Sequence, residues 1–126
     1  MEIGHGLWEG KLENEIKKQW PELLKKWHEK PEDVIMPEGE TIAKVSERSV
    51  KAWKNICLTQ KNNDSTLVVA HDAVNKTLIC HILEISFSNI WMIKQGNGGI
   101  TIIDLFDDPQ KAVSYTHLTL PTKRIV

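Results

Sequence analysis

The sequence predicts an α/β fold with a mostly parallel sheet. Two observations predict it. Segments with the apolar period of amphipathic helices alternate with two short apolar runs along the 126 residues. The first run, residues 66–70, is largely β-branched and has no polar face, as is typical of a strand buried on both sides. The length and composition favour a single globular domain.

The amino-terminal third is predicted to be loop followed by helix. Residues 1–10 are rich in glycine and are expected to form a loop. Apolar residues recur at helical spacing over residues 12–27, with charged residues elsewhere. Pro21 is expected to divide this stretch or to start its second helix, because proline fits only the first turn.

A longer helix is expected in the middle of the chain. Residues 29–40 contain Pro31 and Pro37 and are predicted to form a loop. The following helix is expected to run from about Thr41 to Leu58, with Glu40 favoured by the positive end of its dipole. The residues expected to face inward are Ile42, Val45, Trp53, Ile56 and Cys57.

The second half alternates strand, helix and strand. After the strand at 66–70, a helix is expected from Asp72 to Ile85, then a short apolar helix or turn over 86–92. A glycine-rich turn and a strand over 100–105 follow. Two strands cannot make a covered parallel sheet, so part of the domain is expected to be missing from this sequence.

The last residues predict a foreign tail. Residues 113–122, VSYTHLTLPT, resemble the translation of a transposase-based sequencing adaptor letter for letter. We therefore interpret residues 113–126 as a non-native tail and residues 1–112 as the domain. Excluding the tail removes Lys123 and Arg124 but no acid, so the net charge moves from −1 to −3.

Charge and cysteine content limit the partners and the cellular compartment that we expect. No block of like charge and no apolar run of membrane-spanning length occur, so neither nucleic acid nor membrane is expected as a partner. Cys57 and Cys80 lie in apolar-periodic stretches and are predicted to be buried free thiols, which favours the cytoplasm. No Cys/His spacing fits a zinc site, so no metal or cofactor is expected.

One histidine stands out by its position. His71 ends the predicted strand at 66–70, and active crevices in α/β sheets lie at the carboxyl ends of strands. The helix that begins at Asp72 directs free N–H groups toward the same place, which favours an anion. The alternative is that His71 simply ends a strand.

Three motifs resemble those of the histidine phosphatase superfamily, whose fold is like that of phosphoglycerate mutase. They are EIGHGLWEG over 2–10, MPEGETIAKVSER over 36–48 and VVAHDAVNKTLICHIL over 68–83, in the order of the family. The resemblance implies a three-layer α/β/α domain of which this chain is the carboxyl-terminal part, without the amino-terminal strands.

The resemblance also implies roles for single residues. His71 matches the second active-site histidine, which contacts the phosphoryl group, and Glu2 matches the general acid and base. His5 falls where some relatives have a substrate-contacting aromatic residue. The backbone N–H groups near Asp72 would face phosphate; an acid replaces the usual glycine there, and we expect it to be a helix N-cap turned outward.

The expected nucleophile is not in this sequence. The family's nucleophilic histidine lies in an Arg-His-Gly motif, which does not occur here. The family's second phosphate-binding arginine precedes the Glu motif and is missing as well, and Arg48 lies on a helix well outside that Glu motif at 2–10. We therefore expect a fragment of a phosphatase that hydrolyses a small phosphorylated metabolite through a phosphohistidine. Phosphoglycerate mutase-type transfer, a non-catalytic binding role and an inactive fragment remain alternatives. The oligomeric state is not predicted.

Overall fold

A computed structural model describes residues 1–105 and 117–119 of the chain. Within these residues the structure is mostly helical, with one pair of short strands. The elements are α1 (Glu13–Gln19), α2 (Pro21–Glu29), α3 (Ile42–Thr59), α4 (Asp72–Leu83), β1 (Ile102–Asp104), β2 (His117–Thr119) and 3-10 helices at Gly6–Trp8, Pro31–Asp33 and Phe87–Met92.

The division of the first helical stretch at Pro21 is confirmed. Helix α1 begins after Leu12, whose backbone N–H donates to Glu15 Oε2 at 2.7 Å. It ends at Gln19, and Pro21 is the first residue of α2, where its missing N–H breaks no helical hydrogen bond. The two helices therefore lie on either side of the single residue Trp20.

The central helix is also confirmed, with boundaries one residue from those expected. Thr41 caps α3, since its Oγ1 accepts a hydrogen bond from the backbone N–H of Lys44 at 3.2 Å. The predicted inward residues near its start, Ile42 and Val45, are fully buried. Those near its end, Trp53, Ile56 and Cys57, are only half-buried, so the carboxyl-terminal part of α3 lies outside the core.

The core is formed where α3 packs against α4 and where the amino-terminal loop and the 3-10 helices close over them. Ile3 brings the start of the chain into this core, and Ala73 brings in the start of α4. The buried hydrophobic residues are Ile3, Trp8, Ile16, Leu24, Val34, Met36, Ile42, Val45, Ala73, Ile79, Cys80, Ile82 and Ile90.

Four of the five tryptophans pack together beside this core. The rings of Trp27 and Trp91 meet edge to face with centroids 5.1 Å apart, and the indole Nε1–H of Trp91 donates to the backbone carbonyl of Trp27 at 2.9 Å. Trp8 contacts both Trp20 and Trp27. These four tryptophans therefore contribute to packing.

The predicted buried strand at 66–70 is wrong for this chain. The segment is extended but is assigned to no strand in the described part of the chain, and the side chains of Leu67 and Val69 are 82% and 85% exposed. A strand forms only by hydrogen bonding to a neighbour, and no described segment pairs with this one. Its apolar side chains consequently face solvent on both sides.

The predicted parallel sheet is likewise not found. The one sheet among the described residues is an antiparallel pair, in which Ile103 of β1 lies opposite Leu118 of β2. β1 covers the middle of the strand expected over 100–105. The predicted adaptor-encoded tail, residues 113–126, lies outside the described residues except for β2, and it stays a prediction.

Candidate active site

The amino-terminal segment docks on the start of α4 through Glu2. Glu2 Oε2 accepts a hydrogen bond from the backbone N–H of Ala73 at 3.1 Å, and Oε1 accepts one from its neighbour Ile3 at 2.9 Å. Ala73 lies two residues after His71, so the carboxylate and the histidine lie at the same end of α4. The structure therefore brings together two residues that are 69 positions apart in the sequence.

Arg48 holds the backbone of this segment. Its guanidinium donates from Nη1 to the carbonyl of Met1 at 2.8 Å and from Nη2 to the carbonyl of Glu2 at 3.1 Å. It also forms a two-point ion pair with Glu40, from Nε to Oε1 at 2.9 Å and from Nη2 to Oε2 at 3.1 Å. Three nitrogens of one planar group thus fix four acceptor oxygens on three residues, which an ammonium cannot do with the same geometry.

Glu40 completes this anchor on the other side. Its Oε2 accepts from the backbone N–H of Gly4 at 3.3 Å, and its own N–H donates to the Gly4 carbonyl at 2.7 Å. The hydrogen bond from Arg48 is the main cause that lowers the pKa of Glu40 below its ordinary value of 4.5. Glu40 is therefore a charged acceptor near neutral pH. It stabilises the loop through Arg48 and Gly4, which the sequence analysis did not foresee for it.

Two glycines let the first and second motifs approach each other. Gly6 has φ +57°, and a Cβ built on it would lie 2.1 Å from the carbonyl oxygen of Pro37. That carbonyl accepts a hydrogen bond from Leu7 at 2.9 Å. A Cβ on Gly39 would lie 2.9 Å from the carbonyl oxygen of Gly4. The glycines of the two motifs are thus required by close contact between their backbones.

His71 is the N-cap residue of α4 and its side chain is exposed. Its backbone is extended, and its side chain makes no capping hydrogen bond. The residue before it is fastened by Asn75, whose Nδ2 donates to the carbonyl of Ala70 at 3.2 Å. The imidazole is therefore accessible beside the helix N-terminus, although the strand expected to carry it is absent.

Asp72 is turned outward, but it is not the N-cap that we expected. It is the first residue of α4, and its carboxylate forms an ion pair with Lys76 at 2.8 Å, one turn along the same helix. Lys76 Nζ also lies 5.5 Å from the ring centroid of Trp91. Among the N–H groups near Asp72 that were expected to face phosphate, that of Ala73 is already bonded to Glu2.

His5 packs toward the interior. Its Nδ1 lies 3.3 Å from the sulfur of the buried Met36, and its ring meets that of Trp27 edge to face at 6.1 Å. Its backbone N–H donates to Glu9 Oε1 at 3.1 Å. The substrate contact expected of His5 stays a prediction.

The other titratable candidates lie away from Glu2 and His71. His81 is ten residues along α4 from His71, a distance of about 15 Å at 1.5 Å per residue. Burial raises the pKa of the thiols of Cys57 and Cys80, and neither forms a disulfide. No group of three metal-ligating side chains occurs in the described part of the chain. Within residues 1–105 and 117–119, no helix combines the length and apolarity that crossing a bilayer requires.

Sequence reasoning missed Arg48 and Asn75. Arg48 was set apart from the motif, yet its guanidinium contacts the backbone of Glu2. A signal was present: Arg48 follows the buried Val45 by three residues and precedes the buried Ser49, so it lies beside the apolar face of α3. A cation on such a face implies a partner in the fold. Asn75 left no comparable signal in the sequence.

The arrangement suits acid–base chemistry on an anion. Each oxygen of Glu2 accepts one hydrogen bond, and a carboxylate oxygen has a second lone pair for water or a proton. His71, at the end of α4 where backbone N–H groups favour negative charge, can donate hydrogen bonds to a phosphoryl group.

Most of the chain matches the sequence profile of one protein family. The sequence profile of the histidine phosphatase superfamily (branch 1) matches residues 1–117. The chain belongs to the histidine phosphatase superfamily.

Individual relatives agree with this assignment. The chain is 30% identical over 105 residues to phosphoserine phosphatase 1 of Hydrogenobacter thermophilus, covering 83% of this chain and 49% of that protein. It is 29% identical over 101 residues to a 2-carboxy-D-arabinitol-1-phosphatase of Triticum aestivum, covering 80% of this chain and 20% of that protein. The relatives named here are phosphatases.

The fold is similar to that of two solved structures. It superimposes on YhfR of Bacillus stearothermophilus with a TM-score of 0.79 and 25% identity, over 94% of this chain and 56% of that one. On the α-ribazole phosphatase of Shigella flexneri the TM-score is 0.75 at 19% identity, which supports the fold. The expected partial phosphoglycerate mutase-like α/β fold is confirmed. The chain spans about half the length of the bacterial phosphatase that it matches.

Proposed function

We propose that this chain provides the acid–base part of a phosphatase site that hydrolyses small phosphate monoesters. In this proposal His71 binds the phosphoryl group, and Glu2 transfers the proton. The observation that carries the proposal is the hydrogen bond that joins Glu2 to the backbone of Ala73, beside His71. This contact unites the two family motifs in one place.

The proposed reaction has two steps. A nucleophilic histidine outside this sequence forms an N–P bond to the substrate while the P–O bond to the leaving alcohol breaks, and Glu2 gives its proton to that oxygen. In the second step Glu2 takes a proton from the water that attacks phosphorus, and phosphate leaves the histidine. His71 donates hydrogen bonds to the phosphoryl oxygens in both steps.

The names of the relatives support hydrolysis over phosphoglycerate mutase-type transfer. The missing nucleophile motif and the exposed segment at 66–70 support a site that further residues complete. The named relatives are phosphatases of small phosphorylated metabolites, as their names state. The sequence has no Arg-His-Gly motif. The exposed segment at 66–70 is apolar on both faces, as is typical of a strand that lies between neighbouring strands in a covered sheet. We therefore propose that the nucleophile and the neighbouring strands belong to further residues of a longer protein.

We also propose a cytoplasmic location. Both cysteines are free, and Cys80 is buried, which fits a reducing compartment. A small phosphorylated metabolite is the proposed substrate.

The test begins with the gene. Sequencing the DNA upstream of the Met1 codon is expected to find an in-frame strand that ends in Arg-His-Gly. The longer protein is then assayed with p-nitrophenyl phosphate. Glu2→Gln is expected to lower kcat/KM by about 10²–10⁴-fold through loss of proton transfer. His71→Asn is expected to lower it by about 10²–10³-fold through loss of transition-state hydrogen bonding.

The matched control is His28→Asn, since His28 is an exposed histidine on α2 outside the site. It is expected to leave kcat/KM unchanged. An upstream stop codon without an Arg-His-Gly segment would instead leave a binding role or an inactive chain. Full activity in Glu2→Gln would reject the proton-transfer role.

A further inference from the structure

Arg48 lies at the centre of the contacts that fix the backbone of Glu2. Its guanidinium reaches the carbonyls of Met1 and Glu2 and both oxygens of Glu40. The two carbonyls lie 46 and 47 positions before Arg48, at the amino terminus, so these contacts join distant parts of the chain. The side chain of Arg48 is 37% exposed and that of Glu40 is 23% exposed.

We propose that Arg48 is a positioning residue that holds the Glu2 carboxylate against the N-terminus of α4. The chain of contacts runs from Glu40 to the guanidinium, from the guanidinium to the Glu2 carbonyl, and from the Glu2 carboxylate to the Ala73 N–H. Arg48 does not touch the reacting atoms in this proposal. It fixes the backbone from which the Glu2 side chain extends.

The geometry requires an arginine and not merely a positive charge. Nε and Nη2 are used together on Glu40, while Nη1 and Nη2 reach successive carbonyls of the chain. Lysine has one nitrogen on a flexible stem, so it retains the charge but cannot fix these acceptors in one plane. Arg48→Lys therefore separates positioning from charge.

The Ala73 amide provides a direct readout in the 126-residue chain. Its ¹H–¹⁵N chemical shift is measured by NMR at pH 7 with and without the Glu2 carboxylate, because Glu2→Gln removes the charged group that this N–H faces. The contribution of Glu2 is therefore the difference between each chain and the same chain carrying Glu2→Gln. The Ile3 amide, which donates to Glu2 Oε1 from the adjacent residue, is the internal reference.

In the parent chain both amides are expected to show a Glu2-dependent shift. In Arg48→Lys, Ile3 is expected to keep it and Ala73 to lose it, because only the long-range contact depends on Arg48. Lys51→Gln removes an exposed charge from the same helix and is expected to change neither amide. A Glu2-dependent shift of undiminished size at Ala73 in Arg48→Lys would overturn the proposal.

A second variant addresses unfolding. Glu40→Gln leaves the guanidinium charged and the two carbonyl contacts possible, but removes the charged acceptor that orients it. It is expected to reduce the Ala73 shift by at least half while the amide of Thr77, buried in α4, stays at its folded position. An unchanged shift at Ala73 in this variant also counts against Arg48 as the positioning residue.

This inference rests on the proposed function only in one respect, namely that Glu2 is held in place in order to transfer a proton. The two ideas fail in different measurements. Loss of the Ala73 shift in Arg48→Lys, with kcat/KM of the longer protein unaffected by Glu2→Gln, would retain the positioning and reject the catalytic role. An undiminished Ala73 shift in Arg48→Lys, together with a lowered kcat/KM of the longer protein in Glu2→Gln, would reject only the positioning role of Arg48.

Discussion

The carboxylate of Glu2 accepts a hydrogen bond from the backbone N–H of Ala73, which follows it by 71 positions. This contact places an acid of the first motif at the helix that begins beside His71. It links the start of the chain to its only described α-helix after α3.

Removing the charge of Glu2 should destabilise the chain. Glu2→Gln retains the size of the side chain but weakens two hydrogen bonds to backbone N–H groups, those of Ile3 and Ala73. Hydrogen bonds to charged groups contribute about 1.5–3 kcal/mol, and we expect a loss near the lower figure because Glu2 is half-buried. Urea unfolding at pH 7 measures it. Glu47→Gln, on the exposed face of α3, should change the free energy of unfolding by less than about 0.5 kcal/mol.

Stability should fall in acid because of Glu40. The pKa of Glu40 is lowered in the folded state, mainly by the hydrogen bond from Arg48, so the folded chain holds its proton less tightly than the unfolded chain. The stabilisation is thus complete above the ordinary pKa of 4.5 and is lost as the pH falls through the lower folded value. Urea unfolding between pH 7 and pH 3 should show this slope.

The control for that slope is Glu40→Gln, which cannot titrate at this position. Its free energy of unfolding should be lower at pH 7 and should depend less on pH below 4.5. An equal acid slope in the two chains would assign the effect to other carboxylates.

Gly6 and Gly10 should respond differently to alanine. Both have positive φ, +57° and +73°, so Ala costs about 1 kcal/mol at either position through the backbone alone. At Gly6 the new Cβ also meets the Pro37 carbonyl at 2.1 Å, whereas nothing lies within 4 Å at Gly10. Gly6→Ala should therefore cost at least about 2 kcal/mol more than Gly10→Ala in urea unfolding, since overpacking costs about 1–3 kcal/mol. Equal losses would mean that the first two motifs do not touch at Gly6.

The exposed segment at 66–70 should limit solubility. Its backbone pairs with no other strand in the described part of the chain, and most of its apolar side chains are exposed, so it offers an edge on which other chains can pair. Leu67→Lys places a charge on this edge and should raise the concentration at which the chain remains monomeric in light scattering. Leu58→Lys, at an 83% exposed leucine in the last turn of α3, removes a similar apolar surface and should have the smaller effect. Equal gains would point to general surface hydrophobicity.

Much of the secondary structure followed from the sequence because its causes are local. The apolar period of 12–27 and the fixed ring of Pro21 determined two helices and their junction. Thr41 determined the start of α3 through its own side chain. The three motifs indicated the family without any knowledge of the geometry. The order of residues alone also showed that His71 directly precedes a helix.

Pairings between distant segments were decided only by the tertiary structure. The β-branched apolar run that predicted a strand at 66–70 could not supply the neighbour that a strand requires, so these residues stay exposed. The position of Arg48 beside the apolar face of α3 indicated that it has a partner, but not which one. Two of its acceptors are backbone carbonyls 46 and 47 positions away, and a carbonyl has no sequence signature. The sequence by itself determined which helices form and which family they belong to. The fold decided that Arg48, Glu40 and Glu2 meet at α4, because that meeting depends on packing over long separations.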